Sequence, residues 1–364
     1  MTRVRERGED IRRFILDHVE KRPRDVARAA AEHFGITRQA VNKHLQRLTE
    51  EKALTETGKT RSRTYKLAPL SEWRRVYQIT KDLAEDVIWS IDVAPTLGQM
   101  PDNVLGIWHY GFTEMFNNAI DHSGGTTILV QTKKTAVTTQ MVIFDNGIGI
   151  FKKIKNELGL MDERHALFEL HKGKLTTDPQ NHTGEGIFFS SRAFDDFDIV
   201  SCGVQFTHQF GASEDWIFER ENFEKENTDD GTAVWMKLHN HTSRTMGKVY
   251  DHFSTDGEYG FTKTVVPVRL ARYGNENLIS RSQAKRLLAR VELFKVVVLD
   301  FSEVQSIGQA FADEVFRVFP QQHPDIQLLT HKANSEIKRM IERVKAGGAP
   351  EEQMKLNLSA SNDS

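Results

Sequence analysis

Glu114, Asn118 and Asp121 are spaced four and three apart in FTEMFNNAIDHS, residues 112–123. On a helix this spacing puts them on one stripe. Phe112, Met115, Phe116, Ala119 and Ile120 fall on a second, apolar stripe suited to burial. A carboxylate and a carboxamide one turn apart on a half-buried helix are costly unless something binds there. Asn118 offers an oxygen suited to a hard cation such as Mg2+, and Glu114 could hold a water that attacks a phosphate. The alternative is the solvated polar edge of an ordinary helix.

Three further stretches carry related chemistry. MVIFDNGIGI, residues 141–150, reads as a buried strand whose first polar group is Asp145. Gly147 and Gly149 then let the backbone turn and approach a ligand. In HTGEGIFFSSR, residues 182–192, Thr183, Gly184, Glu185 and Gly186 precede a new helix, and amides at such a start form an anion site. GTAVWMKL, residues 231–238, places Thr232 at the opening of a strand. Each piece is common by chance; their order and spacing together are specific.

Taken together, the four segments resemble the N, G1, G2 and G3 boxes of the GHKL ATPase superfamily, from about Trp73 to Leu238. The resemblance implies ATP and Mg2+ as ligands and an α/β sandwich with a mixed, mainly antiparallel sheet under helices. It assigns Glu114 as general base and Asn118 as Mg2+ ligand, with Asp121 on the same stripe. Asp145 would accept a hydrogen bond from the adenine amino group, and Gly147 and Gly149 would lie on the adenine side. Thr183 to Gly186 match the phosphate loop and Thr232 the threonine near adenine. Residues 151–183 would be a lid, whose Lys172 or Lys174, beside Gly173, could reach a phosphate. Gly58-Lys59-Thr60 is no P-loop end, because position 53 is Ala53.

The elements that must hold these residues are spread over 364 residues, which suggests two or three domains. The net charge of -2 argues for no global field toward nucleic acid or membrane. A single cysteine, Cys202, excludes an intrachain disulfide and fits a reducing cytoplasm. No apolar run approaches the ~20 residues of a membrane helix, and the N-terminus has no signal-peptide core.

Residues 1–68 are locally basic, with 17 Lys and Arg against 10 Asp and Glu. Apolar periodicity predicts helices over 10–20 and 25–34, a turn at Gly35, and a third helix capped by Thr37. The outward face of the third helix carries Arg38, Gln39, Asn42, Lys43, Gln46 and Arg47. These side chains suit base edges and phosphates in a major groove of double-stranded DNA. LTETGKTRSRTYKL, residues 54–67, reads as a hairpin with Lys59, Arg61 and Arg63 near its tip. The whole resembles winged helix-turn-helix regulators; a small protein-interaction module with an incidental basic face is the alternative.

Residues 69–100 read as a helical coupling segment without a histidine, which argues against a histidine autokinase. His122 reads as a residue closing its helix, and the lid histidines His165, His171 and His182 match no usual zinc spacing. Trp216 and Phe218 read as core. Residues 101–240 form the ATP-binding domain, 241–262 a linker, and 347–364 a loose tail. Between them, 263–346 alternate strands and helices, with Ser280 and Ser335 as caps and KVVVL, 295–299, as a buried strand. Asp300-Phe301-Ser302 after that strand resembles STAS domains. Gln309 stands where the phosphorylated members carry serine, so the implied role is docking a protein partner or a second copy. The expected fold is therefore multidomain α+β: a winged helix-turn-helix, a GHKL sandwich and a small STAS-like α/β domain. The expected function is a cytoplasmic, ATP-controlled, DNA-binding transcriptional regulator, dimeric on a palindrome, with slow ATP hydrolysis within reach. The alternative is an ATPase or serine kinase, or an anti-sigma-like switch, acting on a protein partner.

Overall fold

The computed structural model describes residues 2–59, 62–175, 184–211, 216–219, 231–255, 260–272 and 277–347, without the side chains of 2–6 and 216–219. Two compact units emerge. The first comprises Met1–Lys153, Ser190–Phe210 and Asp215–Met246; the second comprises Ile154–Phe189, Gly211–Glu214 and Gly247–Ser364.

The first unit opens with α1 (Thr2–Val19), α2 (Val26–Phe34) and α3 (Arg38–Glu50). Gly35 takes the left-handed conformation (φ 61°) that ends α2, and Thr37 Oγ1 accepts the Ala40 amide to start α3. Ile15, Val19, Val26, Ala30, Val41, Leu45 and Leu48 close the core between them. Strands β1 (Leu54–Thr57) and β2 (Thr64–Leu67) form the expected hairpin, turning at Gly58 (φ 82°).

A strand β3 (Ser71–Gln78) follows, where the sequence reading expects a coupling helix. It pairs antiparallel with β4 over its whole length. Inward-turned Trp73 and Tyr77 alternate with exposed Arg74 and Val76, a period of two that the apolar count concealed. Only the end of 69–100 is helical: α4 (Glu85–Ile88), a π turn over Trp89–Val93, and α5 (Ala94–Leu97). Next come α6 (Asp102–His122), β4 (Thr127–Lys134), β5 (Thr138–Asp145), α7 (Ile150–Leu158), α8 (Glu163–Lys172) and α9 (Gly186–Ala193). Then β6 (Asp196–Ser201), β7 (Val204–Gln209), β8 (Trp216–Glu219) and β9 (Thr232–His239) complete a seven-stranded sheet ordered β3-β4-β5-β9-β6-β7-β8. Every pairing among its described strands is antiparallel, rather than mixed as expected.

One sheet face is buried, with Met141 and Ile143 of β5 and Val234, Met236 and Leu238 of β9 beneath α6. Gly111 lets α6 come close: a Cβ there would stand 2.5 Å from the Phe194 ring and 3.2 Å from Met236 Sδ.

The second unit continues with α10 (Met246–His252), β10 (Lys263–Pro267), α11 (Arg281–Leu288), β11 (Val296–Asp300), α12 (Gln309–Asp313), α13 (Phe319–Gln322), β12 (Gln327–His331) and α14 (Ser335–Ala346). Its sheet is parallel, ordered β10-β11-β12, with helical crossovers as parallel pairing demands. Ser280 caps α11 in a full capping box with Gln283, as its position suggests, and α11 ends at Leu288. A π turn over Glu314–Val318 joins α12 to α13. The cap of α14 is Asn334, not Ser335. Phe188, Phe189, Tyr250, Phe253, Phe261 and Phe294 pack ring against ring, so Tyr250, Phe253 and Phe261 of the expected linker 241–262 pack into an aromatic cluster. No helix among the described residues is long and apolar enough to cross a membrane.

Candidate functional site

The Glu114 stripe forms as its spacing demands. Phe112, Met115, Phe116 and Ala119 are buried on α6, Glu114 and Asn118 are half-buried, and Asp121 is exposed. The end of α6 is fastened to the loop after β5. Ser123 Oγ donates to the Ala119 carbonyl and accepts the Gly125 amide, while the Ser123 carbonyl accepts the Ile148 amide at 2.9 Å. Lys153 Nζ donates to the His122 carbonyl, satisfying one acceptor at the helix end where His122 was expected to act.

Asp145 is the last residue of β5, 5% exposed, with its Oδ1 accepting the Gly147 amide at 2.9 Å. Its strand partner is Thr232, which also hydrogen-bonds the carboxyl. Burial pushes the Asp145 carboxyl above its ordinary range, and the bonds from Gly147 and Thr232 pull the other way. Thr232 Oγ1 in addition accepts the Ile150 amide at the start of α7. Asn146 anchors the neighbouring strand, its Oδ1 accepting the Thr126 and Thr127 amides.

The glycines of this loop serve the protein's own packing. A Cβ at Gly147 would meet the Ser123 carbonyl oxygen at 2.2 Å, and one at Gly231 would meet the Asp145 carbonyl oxygen at 2.2 Å. Gly149 (φ 86°) faces Cys202 Sγ and Ser201 Oγ. The sequence reading gave Gly147 and Gly149 to a ligand; intrachain contact is the reason visible at both positions.

The remaining phosphate-side candidates belong to the second unit. Gly184 (φ 70°) turns against Leu175, whose amide donates to the Gly184 carbonyl. Gly186 begins α9 as expected, and burial raises the half-buried Glu185 carboxyl. Thr183 and His182 lie outside the described residues. Lys172 does not take up the expected phosphate-facing role. It is 1% exposed, and its Nζ donates to Glu169 Oε1 (2.8 Å) and to the Arg286 and Ala289 carbonyls (3.1 and 2.7 Å). These carbonyls end α11, so Lys172 caps that helix and neutralises its dipole. Arg290 Nε lies 3.6 Å from Glu169 Oε2. Lys174 likewise donates to the Leu293 carbonyl at 3.0 Å and lies over the Phe294 ring. Burial lowers both lysines' pKa and raises that of Glu169.

The nucleic-acid candidates lie where the helix pattern puts them. Arg38, Gln39, Asn42, Lys43 and Arg47 are exposed on α3. Lys59 and Arg63 are exposed on the hairpin, Arg63 being 3.6 Å from Glu56; Arg61 lies outside the described residues. The sequence reading missed a depression of about 430 Å3 at the α1–α2 turn, lined by Lys21, Arg22, Pro23, Arg24, Asp25 and Arg28. The run Lys-Arg-Pro-Arg was its visible signal. The Tyr65 amide donates to the Pro23 carbonyl, so this basic turn adjoins the hairpin strand.

In the last domain, Ser302 donates to Asp300 Oδ1 at 2.7 Å, a local turn bond within the Asp-x-Ser motif. Among the described residues no cluster of three or more His, Cys, Asp or Glu could hold a metal ion. No curated protein sequence matches the chain. Residues 283–338, from α11 into α14, match the family described as a STAS-like domain of unknown function (DUF4325), so the C-terminal part of the chain is STAS-like.

Proposed function

We propose that the protein is a nucleotide-controlled, DNA-binding transcriptional regulator whose first unit binds Mg-ATP. One observation carries the reading: a buried carboxyl, Asp145, ends a strand directly opposite Thr232 and beside the stripe-bearing helix α6. A buried acceptor at a strand end can read an exocyclic amine, and its cost is offset when such a donor arrives. Asn118 would supply one Mg2+ ligand, the rest coming from phosphates and water as is usual for this ion. Glu114 would position water for slow hydrolysis. Arg38, Gln39, Asn42, Lys43 and Arg47 would read the groove, with Lys59, Arg61 and Arg63 on the backbone, from a homodimer on a palindromic site.

The test measures DNA affinity with Mg-ATP, with Mg-ADP and without nucleotide, beside calorimetry of nucleotide binding. Glu114→Ala is expected to keep ATP binding and lose phosphate release, whereas Asn118→Ala loses the Mg2+-dependent part of binding. Equal DNA affinities in all three states would refute nucleotide control.

A second reading gains from one observation: α8, inside the stretch expected to be a lid, is bonded through Lys172 to carbonyls of the STAS-like domain. In that reading the domain acts as a built-in partner whose grip on α8 depends on nucleotide. Proteolysis of α8 with and without Mg-ATP tests it; identical cleavage would refute the dependence.

A further inference from the structure

We infer that β5 and β9 form a fixed arm linking the candidate nucleotide pocket to the DNA-reading module, an inference that rests on the function proposed above. The two strands pair over eight residues each, from Asp145↔Thr232 at one end to Thr138↔His239 at the other, roughly 24 Å apart. The first end carries Asp145 and Thr232, the nucleotide-side residues of the function proposed above. The second end holds the helix-turn-helix module.

Three contacts make that hold. Val137, at the turn before β5, is 7% exposed and belongs to the core formed by Ile15, Val19 and Leu45. Lys237 Nζ lies 2.7 Å from Glu20, in the turn just after α1, and His239 Nε2 lies 3.4 Å from Asp17 on α1. The turn itself is pinned by Asn240, which bonds Thr139 Oγ1, the Thr135 carbonyl and the Val137 carbonyl.

The covalent link leaves little slack. Only residues 68–70 separate β2 from β3, at most about 10 Å of chain, and the Leu70 amide is fixed to the Lys134 carbonyl. A module held by an apolar knob, the Lys237–Glu20 ion pair, the His239–Asp17 contact and a three-residue tether turns with the sheet. Any displacement of β5 against β9 at the pocket therefore reorients α3. A ligand moves this equilibrium only by its differential affinity for the two arrangements.

The test uses the full chain. In a Cys202→Ser background, spin labels at Glu32→Cys on α2 and Gln209→Cys on β7 report the distance between module and sheet. One narrow distribution is expected, broadened by Val137→Lys and by Lys237→Glu. DNA affinity with and without Mg-ATP should differ by about fivefold or more before substitution, as coupled sites commonly do. The ratio should fall to near one in Lys237→Glu and recover when Glu20→Lys is added, which shows that the charge pair acts and that the variant is folded. A broad distance distribution in the unsubstituted chain would overturn the arm even if nucleotide and DNA both bind. An unchanged ratio in Lys237→Glu and Val137→Lys together would also overturn it. No calorimetric heat with Mg-ATP would instead sink the reading of the pocket, and calorimetry separates that failure from the other two.

Discussion

Asp145 accepts hydrogen bonds most strongly when ionised, and burial works against that. Its carboxyl titrates above the ordinary aspartate range in the fold, so the folded chain holds this proton where the unfolded chain has lost it. Stability from this group is complete at low pH and is lost as pH rises through the raised value. The adenine contact proposed above would run the opposite way, since the ionised carboxylate is the stronger acceptor and protonation turns one of its oxygens into a donor. Nucleotide affinity is therefore expected to fall as pH drops through the raised Asp145 value, and Asp145→Asn should lose adenine selectivity and most of this pH dependence. Calorimetry against ATP and GTP at several pH values checks both. The Asp145 position was legible because a strand end is a local pattern. The reason for Gly147 was not, because its neighbour Ser123 lies 24 positions earlier and the closeness arises only when α6 packs on the loop.

At the scale of the element, α8 carries a buried charge pair. Glu169 and Lys172 are 2% and 1% exposed, and removing one charge of such a pair leaves the other uncompensated. Lys172→Met is expected to cost about 3–5 kcal/mol of stability, and Glu169→Gln in the same chain should recover much of it. Urea unfolding of the single and double variants measures this. Gly111→Ala on α6 should cost about 1–3 kcal/mol by overpacking against Phe194. The helices were legible from apolar periodicity and caps: Thr37 and Ser280 perform the capping their positions suggest. Strand β3 was not, because as an edge strand it buries few residues and its Trp73, Val76 and Tyr77 also fit a helical face. Lys172 was misread for a related reason. A lysine beside a glycine looks solvated until a helix end from elsewhere presents its carbonyls.

At the scale of the molecule, sequence order and spatial grouping part company. Residues 154–189 lie between strands of the first unit's sheet in sequence, yet they pack with 247–347. Domain boundaries drawn as continuous segments, 101–240 and 263–346, could not anticipate this, since continuity along the chain was their only guide. Deleting residues 260–364 is expected to leave Lys172 of α8 without its helix-end carbonyls, and Phe188 and Phe189 without Phe261. Hydrogen exchange in 163–172 should then rise by orders of magnitude, while β5 and β9 keep their protection.

The same grouping bears on how the protein is born. Lys172 finds the Ala289 carbonyl 117 positions later. At roughly 5–20 residues per second a ribosome needs about 6–23 s to bridge that gap. Through that interval α8 of a nascent chain is unsealed, and Lys172 has only Glu169 of its own helix for a partner. Slower translation would lengthen that interval in proportion, whereas the last strand of the first unit's sheet, β9, is complete at His239.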